Sequence, residues 1–341
     1  MSKFDKISLA HGAGGKIMGD LLKIITSSIT EKNLVNGIGL NELDDGGSIP
    51  LQTQEIVVTA DAHTVDPIFF PGGDIGRLAV SGTVNDVLMM GAIPLAITDT
   101  IVVEEGFETK LLKKILDSIN ETAKEAGVKI IAGDFKVVPK GKLDKIMIST
   151  SGIGVVERGK IILDSGLKPG NKIIVTGTIG DHGTAILAKR EGMEFDIDLK
   201  SDTRPLTDLI LSAINAGKIT AMKDPTRGGL SSALNELTEK SNVSIVLIED
   251  DLPIRKEVKT AGEILGIEPL EITCEGIAII GVEAKDANRV LETIKKSKYG
   301  DEARIIGEVK SENPGKVILK TIFGSHRIID MPPGEPIPRV C

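Results

Sequence analysis

Acidic residues recur where strand-like or apolar segments give way to loops: Asp44 and Asp45 in NELDDGGSIP, Asp61 in VVTADAHTVDP, Asp86 in GTVNDVLMMGA, Asp134 in IIAGDFKVV and Asp224 in KDPTRGGL. Carboxylates so placed suit Mg²⁺, a hard cation that takes oxygen ligands and keeps positions open for triphosphate oxygens. Any one of these residues alone reads as a turn or N-cap residue. Their recurrence points to a metal–phosphate site, with Asp45, Asp61, Asp86 and Asp224 as candidate ligands. The stretch HGAGGK (residues 11–16) adds Gly12, Gly14 and Gly15, whose bare backbone N–H groups can approach a phosphate, and Lys16, which adds charge. It is not a Walker A loop, because Ile17 stands where that motif needs Ser or Thr, and it lacks the third glycine of a dinucleotide fingerprint. In DPTRGGL, Arg227 can grip a phosphate bidentately beside two glycines that open a helix. A flexible turn and a helix-entry turn are the structural alternatives for these two loops.

The other reactive group is a thiol. The chain has two cysteines, Cys274 and Cys341, and the second follows the proline-rich MPPGEPIPRV. A thiolate is a nucleophile that can hold an acyl-type group as a thioester-like adduct and later release it. In polyproline II, residues 331–341 would span about 34 Å at ~3.1 Å each, which lets a carrier thiol reach between sites. The position does not match a prenylation box, which puts Cys fourth from the end. An idle thiol at a frayed end is the alternative.

These groups need a scaffold of mixed texture. Segments 55–60, 94–103, 128–134 and 145–156 are short and β-branched and read as strands. Residues 109–127 put Leu111, Leu112, Ile115, Leu116, Ile119 and Ala123 on one helical face and stop at Gly127. The second half repeats the pattern, with a strand over 172–176 and helices near 182–191, 204–216, 228–240, 256–265 and 285–298. Further strands are expected near 243–248, 276–282, 304–309 and 316–320. The reading is α+β, in two domains: a glycine-loop segment 1–40, domains over 41–156 and 165–323, and a flexible tail 324–341. At 341 residues the chain exceeds what one core usually organises.

Composition excludes several classes. A net charge of −8, no Trp, one Tyr and seven Phe do not suit nucleic-acid binding. No apolar run approaches a membrane span, and no secretory signal is visible, so a cytoplasmic protein with reduced thiols is expected. A Cys274–Cys341 bridge is the alternative.

Taken in order, DPIFFPGGDIGRLAVSGTVNDVLMMGAIP (66–94), GDFKVV (133–138), GDHG (180–183), DPTRGGL (224–230), EG (275–276) and the closing PRVC resemble the HypE family of hydrogenase maturation factors. That family is akin to aminoimidazole ribonucleotide synthetase, selenophosphate synthetase and thiamine-monophosphate kinase. The resemblance covers essentially the whole chain. Selenophosphate synthetases usually carry Cys or selenocysteine in the N-terminal glycine segment, where this chain has Ala13 and no Cys. The resemblance implies a PurM-like fold: an N-terminal domain whose strands pair with a second copy in a shared β-barrel, a C-terminal α+β domain over it, and a homodimer.

It further implies that Cys341 receives a carbamoyl group from the carbamoyltransferase HypF. ATP with Mg²⁺ would then drive dehydration of that group to a thiocyanate, and the cyano group would pass to iron on a HypC–HypD complex. Glu275 is the candidate base and Lys136 its charged partner or a ligand of the transferring oxygens. The nucleotide would be held by Gly12, Gly14, Gly15, Lys16, Asn85, Asp134, Thr226 and Arg227. His63 or His182 could replace Glu275 as base. A small-molecule ATP-dependent synthetase or kinase and a non-enzymatic carbamoyl or cyano carrier are the competing readings.

Overall fold

The computed structural model describes residues 6–12, 14–192, 199–334, 337 and 340. In the N-terminal half the order is α1 (Gly15–Ser28), β1 (Gly47–Pro50), β2 (Gln54–His63), a small hairpin of β3 (Phe69–Phe70) and β4 (Gly73–Asp74), α2 (Ile75–Met89), β5 (Ile93–Glu104), α3 (Thr109–Ala126), β6 (Lys129–Val138) and β7 (Ile146–Glu157). The strands form a five-stranded sheet in the order β1-β2-β7-β5-β6. All neighbours in it are antiparallel except β5 and β6, which α3 joins as a parallel pair. Amphipathic α3 buries Ile115, Ile119 and Ala123 and ends at Gly127, whose φ of 75° is the left-handed cap that glycine adopts without a Cβ penalty.

Helix α2 is built differently. Asp74 caps it, accepting the N–H groups of Gly76 at 2.8 Å and Arg77 at 3.0 Å. Nearly every residue after that is buried. With no polar stripe and several β-branched residues, it carries no helical periodicity, and it is absent from the helices expected above. It lies close on β7 because that strand has glycine beneath it. A Cβ at Gly154 would come within 2.4 Å of Val87 Cγ1, and one at Gly152 within 2.8 Å of Val87 Cγ2.

The second half runs β8 (Lys172–Val175), α4 (Asp181–Arg190), α5 (Thr207–Ala216), β9 (Ile219–Lys223), α6 (Gly229–Ser241), β10 (Ser244–Ile248), α7 (Lys256–Leu265), β11 (Ile279–Val282), α8 (Ala287–Lys296), β12 (Arg304–Lys310), β13 (Lys316–Lys320) and β14 (His326–Ile329). Its seven-stranded sheet has the order β14-β13-β10-β12-β8-β11-β9. Because β14 pairs with β13 from Val317↔Ile329 to Lys320↔His326, the chain outside the sheet begins at Asp330 rather than at Gly324. Among the described tail residues Asp330 and Pro333 are exposed, whereas Pro332, Ile337 and Val340 are buried. Apolar residues that prefer the core to water hold them there.

The two halves share one core. A single apolar cluster joins Phe70, Leu78 and Ile97 of the first domain to Leu206, Ile210 and Ile280 of the second. Asn85, on buried α2, braces the junction. Its Nδ2 donates to the carbonyls of Arg204 at 3.1 Å and Glu275 at 3.3 Å, and its Oδ1 accepts from the Leu206 N–H at 2.9 Å. Arg77 Nε adds a bond to the Thr203 carbonyl at 2.8 Å. The opposite face of the five-stranded sheet has no such cover. The register places Ile49, Ile56, Val155 and Ile93 in one row across it, with Ile49 41% and Ile93 52% exposed. No described helix is long and apolar enough to cross a membrane.

Asn85→Ala is expected to lower the thermal unfolding midpoint markedly, because it strands the buried Leu206 N–H at a cost of about 1–3 kcal/mol. Scanning calorimetry checks this, and an unchanged midpoint would show that the junction does not need Asn85.

Candidate active site

The crease between the domains gathers acid from both. Asp61 on β2 accepts a hydrogen bond from Thr83 Oγ1 at 3.3 Å, and Asp86 on α2 accepts one from Thr59 Oγ1 at 2.8 Å. Asp224 follows β9 and is 6% exposed. Burial raises the proton affinity of Asp86, and the charges of Asp61, Asp224 and Asp45 raise it further, against the Thr59 bond. Burial likewise pushes Asp224 up to about 8, with Asp45 and Asp61 adding to the rise and Lys223 opposing it. Like charges held together out of water favour their neutral forms.

Asp45 stands apart from the other candidate ligands because a lysine already faces it. Lys223 Nζ lies 2.6 Å from Asp45, 3.3 Å from Asp164 and 3.4 Å from Glu236. Burial alone would depress that ammonium, yet the three carboxylates hold it well above its ordinary value. Among the described residues no group of three or more His, Cys, Asp or Glu side chains is arranged to hold a metal ion by itself. Mg²⁺ binds through one or two carboxylates with waters and phosphate oxygens completing its shell. The mutual repulsion of Asp86, Asp224 and Asp61 is the imbalance a divalent cation would relieve.

Glu275 closes the inner side. It is 4% exposed, and its Oε1 has no hydrogen-bond partner among the described residues. Asp202 fixes its backbone, accepting the N–H of Glu275 at 3.1 Å and of Gly276 at 3.1 Å. Burial raises the Glu275 carboxyl well above its usual range, helped by Asp224 and Asp202 and opposed by the Arg227 guanidinium. Gly82 makes room here, since a Cβ on it would lie 3.2 Å from His63 Cε1 and 3.9 Å from Glu275 Oε2. Burial also lowers the proton affinity of His63, which Asp61 opposes. The His63 imidazole and the Glu275 carboxyl therefore flank one bare glycine.

Other expected site residues lie elsewhere. Asp134 and Lys136 are exposed on the edge strand β6. Register pairs them with Thr100 and Val102 of β5, whereas Asp61 shares its row with Thr150 and Asp99. Alternation along a strand puts those rows on opposite faces, so within one chain the sheet separates Lys136 from Glu275. The cation beside Glu275 is Arg227. The side-chain amide of Asn85 is committed to the domain junction on both its nitrogen and its oxygen, which leaves it a brace rather than a nucleotide ligand.

The glycine loop serves packing. Gly14 and Gly15 have φ of 75° and 66°. A Cβ at Gly14 would meet the Arg227 carbonyl oxygen at 2.8 Å, and one at Gly15 would meet the Pro332 carbonyl oxygen at 2.2 Å. Lys16 N–H donates to that Pro332 oxygen at 3.2 Å, and the Lys16 side chain is exposed, as is Gly12. Thr226 is half-buried and Arg227 exposed at the entry to α6. Cys341 lies outside the described residues. Cys274 is buried and free, and burial raises its thiol well above the usual range, which makes it inert.

His182 does not stand as a free base. It is fully buried, with Nδ1 2.7 Å from Ser201 Oγ and 3.1 Å from Thr203 Oγ1, and Nε2 2.7 Å from the carbonyl of Val340. The candidate site also takes in Asp202, Thr59 and Lys223, which the sequence reading did not single out. Asp202 could have been found from its place in the apolar-flanked KSDTRPL, the others only from the fold.

The models of AIR synthase related proteins match this chain, the N-terminal domain over residues 43–156 and the C-terminal domain over 168–320. A Methanocaldococcus jannaschii protein assigned to hydrogenase expression and formation is 53% identical over 98% of this chain and 100% of its own length. Carbamoyl dehydratase HypE of Rhizobium leguminosarum is 40% identical over 98% of this chain and 95% of its own. Among solved structures, a HypE–HypF complex superposes with a TM-score of 0.85 at 43% identity, covering 92% of this chain and 99% of that one. HypE in complex with ATP superposes with a TM-score of 0.82 at 35% identity, covering 98% of this chain and 100% of that one.

The pocket acids set a pH dependence. Asp224 has a folded-state value of about 8 against an ordinary 3.8, so the folded protein binds the extra proton between those limits. Stability is full below about pH 4 as far as this group is concerned and is lost as pH rises towards 8. Without divalent cations the thermal midpoint is expected to fall between pH 6 and 9. Asp224→Asn should flatten that fall, and Mg²⁺ should raise the midpoint more at pH 8.5 than at pH 6. Melting curves across this range check it, and a midpoint that climbs with pH in both proteins would contradict it.

Proposed function

This chain belongs to the HypE family of AIR synthase related proteins, and from that premise we propose the chemistry its pocket performs. It is an ATP-dependent carbamoyl dehydratase of hydrogenase maturation. Its substrate is an S-carbamoyl group on its own Cys341. The carbamoyl oxygen attacks the γ-phosphorus of ATP, ADP leaves, and the C–O bond then breaks as phosphate departs. Nitrogen loses both protons, giving the thiocyanate S–C≡N.

The pocket acids account for most of what the chain must do. One or two of Asp61, Asp86 and Asp224 would hold Mg²⁺, with water and phosphate oxygens completing its shell, and the ion would neutralise triphosphate charge and help align the γ-phosphorus. Arg227, at the entry to α6, can grip phosphate oxygens. Glu275 accepts a proton from the carbamoyl nitrogen at its unpartnered Oε1, since burial gives the carboxylate the raised proton affinity that a base for a weak acid needs. The observation that carries the reading is this buried, unpaired carboxyl beside three mutually repelling aspartates in a family named for carbamoyl dehydration.

The uncovered face of the five-stranded sheet supports a homodimer. Its apolar row of Ile49, Ile56, Val155 and Ile93 and the exposed edge strand β6 suit pairing with a second copy in a shared barrel. That pairing would give Asp134 and Lys136 a role on a composite site. HypF is the carbamoyl donor in this reading and iron on a HypC–HypD complex the cyano acceptor, in the cytoplasm.

The carbamoylated protein incubated with Mg-ATP is expected to lose the mass of one water from its C-terminal peptide. An unchanged mass would sink the proposal, and product formation that survives Cys341→Ser would favour a free small-molecule substrate. Asp86→Asn is expected to slow ATP turnover by at least about tenfold, the effect of losing ~1.4 kcal/mol of transition-state stabilisation. Turnover at the parental rate would remove Asp86 from the site.

A further inference from the structure

The sequence GDHG (180–183) opens α4 and has no part in the pocket just described, yet it meets the end of the chain. A Cβ at Gly183 would come within 2.6 Å of Ile272 Cγ2 and 3.3 Å of Ile337 Cδ1, so the missing side chain leaves room for Ile337. Next to it His182 faces Val340, the residue before Cys341, and the 2.7 Å contact runs from Nε2 to a carbonyl oxygen. A carbonyl only accepts, so Nε2 carries the proton and Nδ1 takes its bond from the Ser201 or Thr203 hydroxyl. Phe70 packs edge-on against the ring at 5.5 Å. The imidazole is thus fixed in tautomer and orientation by groups from both sides.

We propose that His182 is a positioning residue, a neutral latch whose Nε2–H holds the Val340 carbonyl and thereby fixes where the thiol of the following Cys341 is presented. The inference rests on the reading that Cys341 carries the substrate. Burial pushes the imidazole down to about 4, so the latch stays uncharged at neutral pH, with both ring nitrogens already hydrogen-bonded. A neutral hydrogen bond suits a seat that must also let go, because its loss on release is repaid by water. The docked side chains of Ile337 and Val340, each 1% exposed, supply the rest of the hold.

The test uses the full chain and a thiol reagent, DTNB, under native conditions. Cys274 is 0% exposed and should stay silent, so the signal comes from Cys341 and vanishes in Cys341→Ser. His182→Phe keeps a ring but offers no donor, while His182→Gln places an amide N–H near Nε2. Labelling should speed up about tenfold in His182→Phe, the weight of one hydrogen bond, and return close to the parental rate in His182→Gln.

Single-turnover dehydration of the carbamoylated variants should follow the same order in reverse, with the affinity for ATP unchanged. Folded His182→Phe that labels at the parental rate overturns the latch. Should that variant not fold, His182→Asn replaces it, since its shorter amide reaches only the Ser201 side. If the carbamoylated parental protein loses no water with Mg-ATP, the dehydratase reading fails, while the labelling rates still decide the latch.

Discussion

At the crease between the domains Asp86 and Asp224 come together with Asp61, and burial and the neighbouring acidic charges make Asp86 and Asp224 harder to ionise. Such an arrangement costs stability in the free protein, and it persists because the fold over-determines it. Helix α2, buried on nearly all sides and resting on two strand glycines, fixes Asp86. The ten-residue register of β2 on β7 fixes Asp61, and the turn after β9 fixes Asp224. Lys223 shows the contrast. Where the fold supplies its own cation, Asp45 and Asp164 are paired; where it does not, the acids wait for one from outside.

The same economy appears around the tail. Three glycine motifs surround it: Gly15 admits the Pro332 carbonyl, Gly228 lies against Pro332 and Gly183 leaves room for Ile337. Pro332 is therefore seated at the N-terminal loop, and Ile337 and Val340 at Gly183 and His182. The loops that flank the acidic pocket, around Arg227 and Gly14, are also the walls of that seat.

Much of this was legible in the sequence, for stated reasons. The amphipathic stripe of α3 and its glycine stop, the β-branched strands and the recurring strand-end aspartates each carry a local signal. Helix α2 does not, because a helix buried all round has no period to read. The glycine loops misled for a different reason: a phosphate and a neighbouring carbonyl both require the absence of a Cβ, and the sequence cannot tell which one approaches. Lys136 was grouped with Glu275 through the family resemblance, whereas its face of the sheet is set by register. His182 offered only its residue type, since its partner Val340 lies 158 positions away.

The central claim is that the free pocket holds protons which a metal–nucleotide must expel. Calorimetric titration with Mg-ATP near pH 7, run in two buffers of different ionisation enthalpy, counts those protons directly. The account predicts net proton release on binding, reduced in Asp224→Asn. Binding with no proton release, or with uptake, would mean that the acids are already ionised in the free protein, and the account would be wrong.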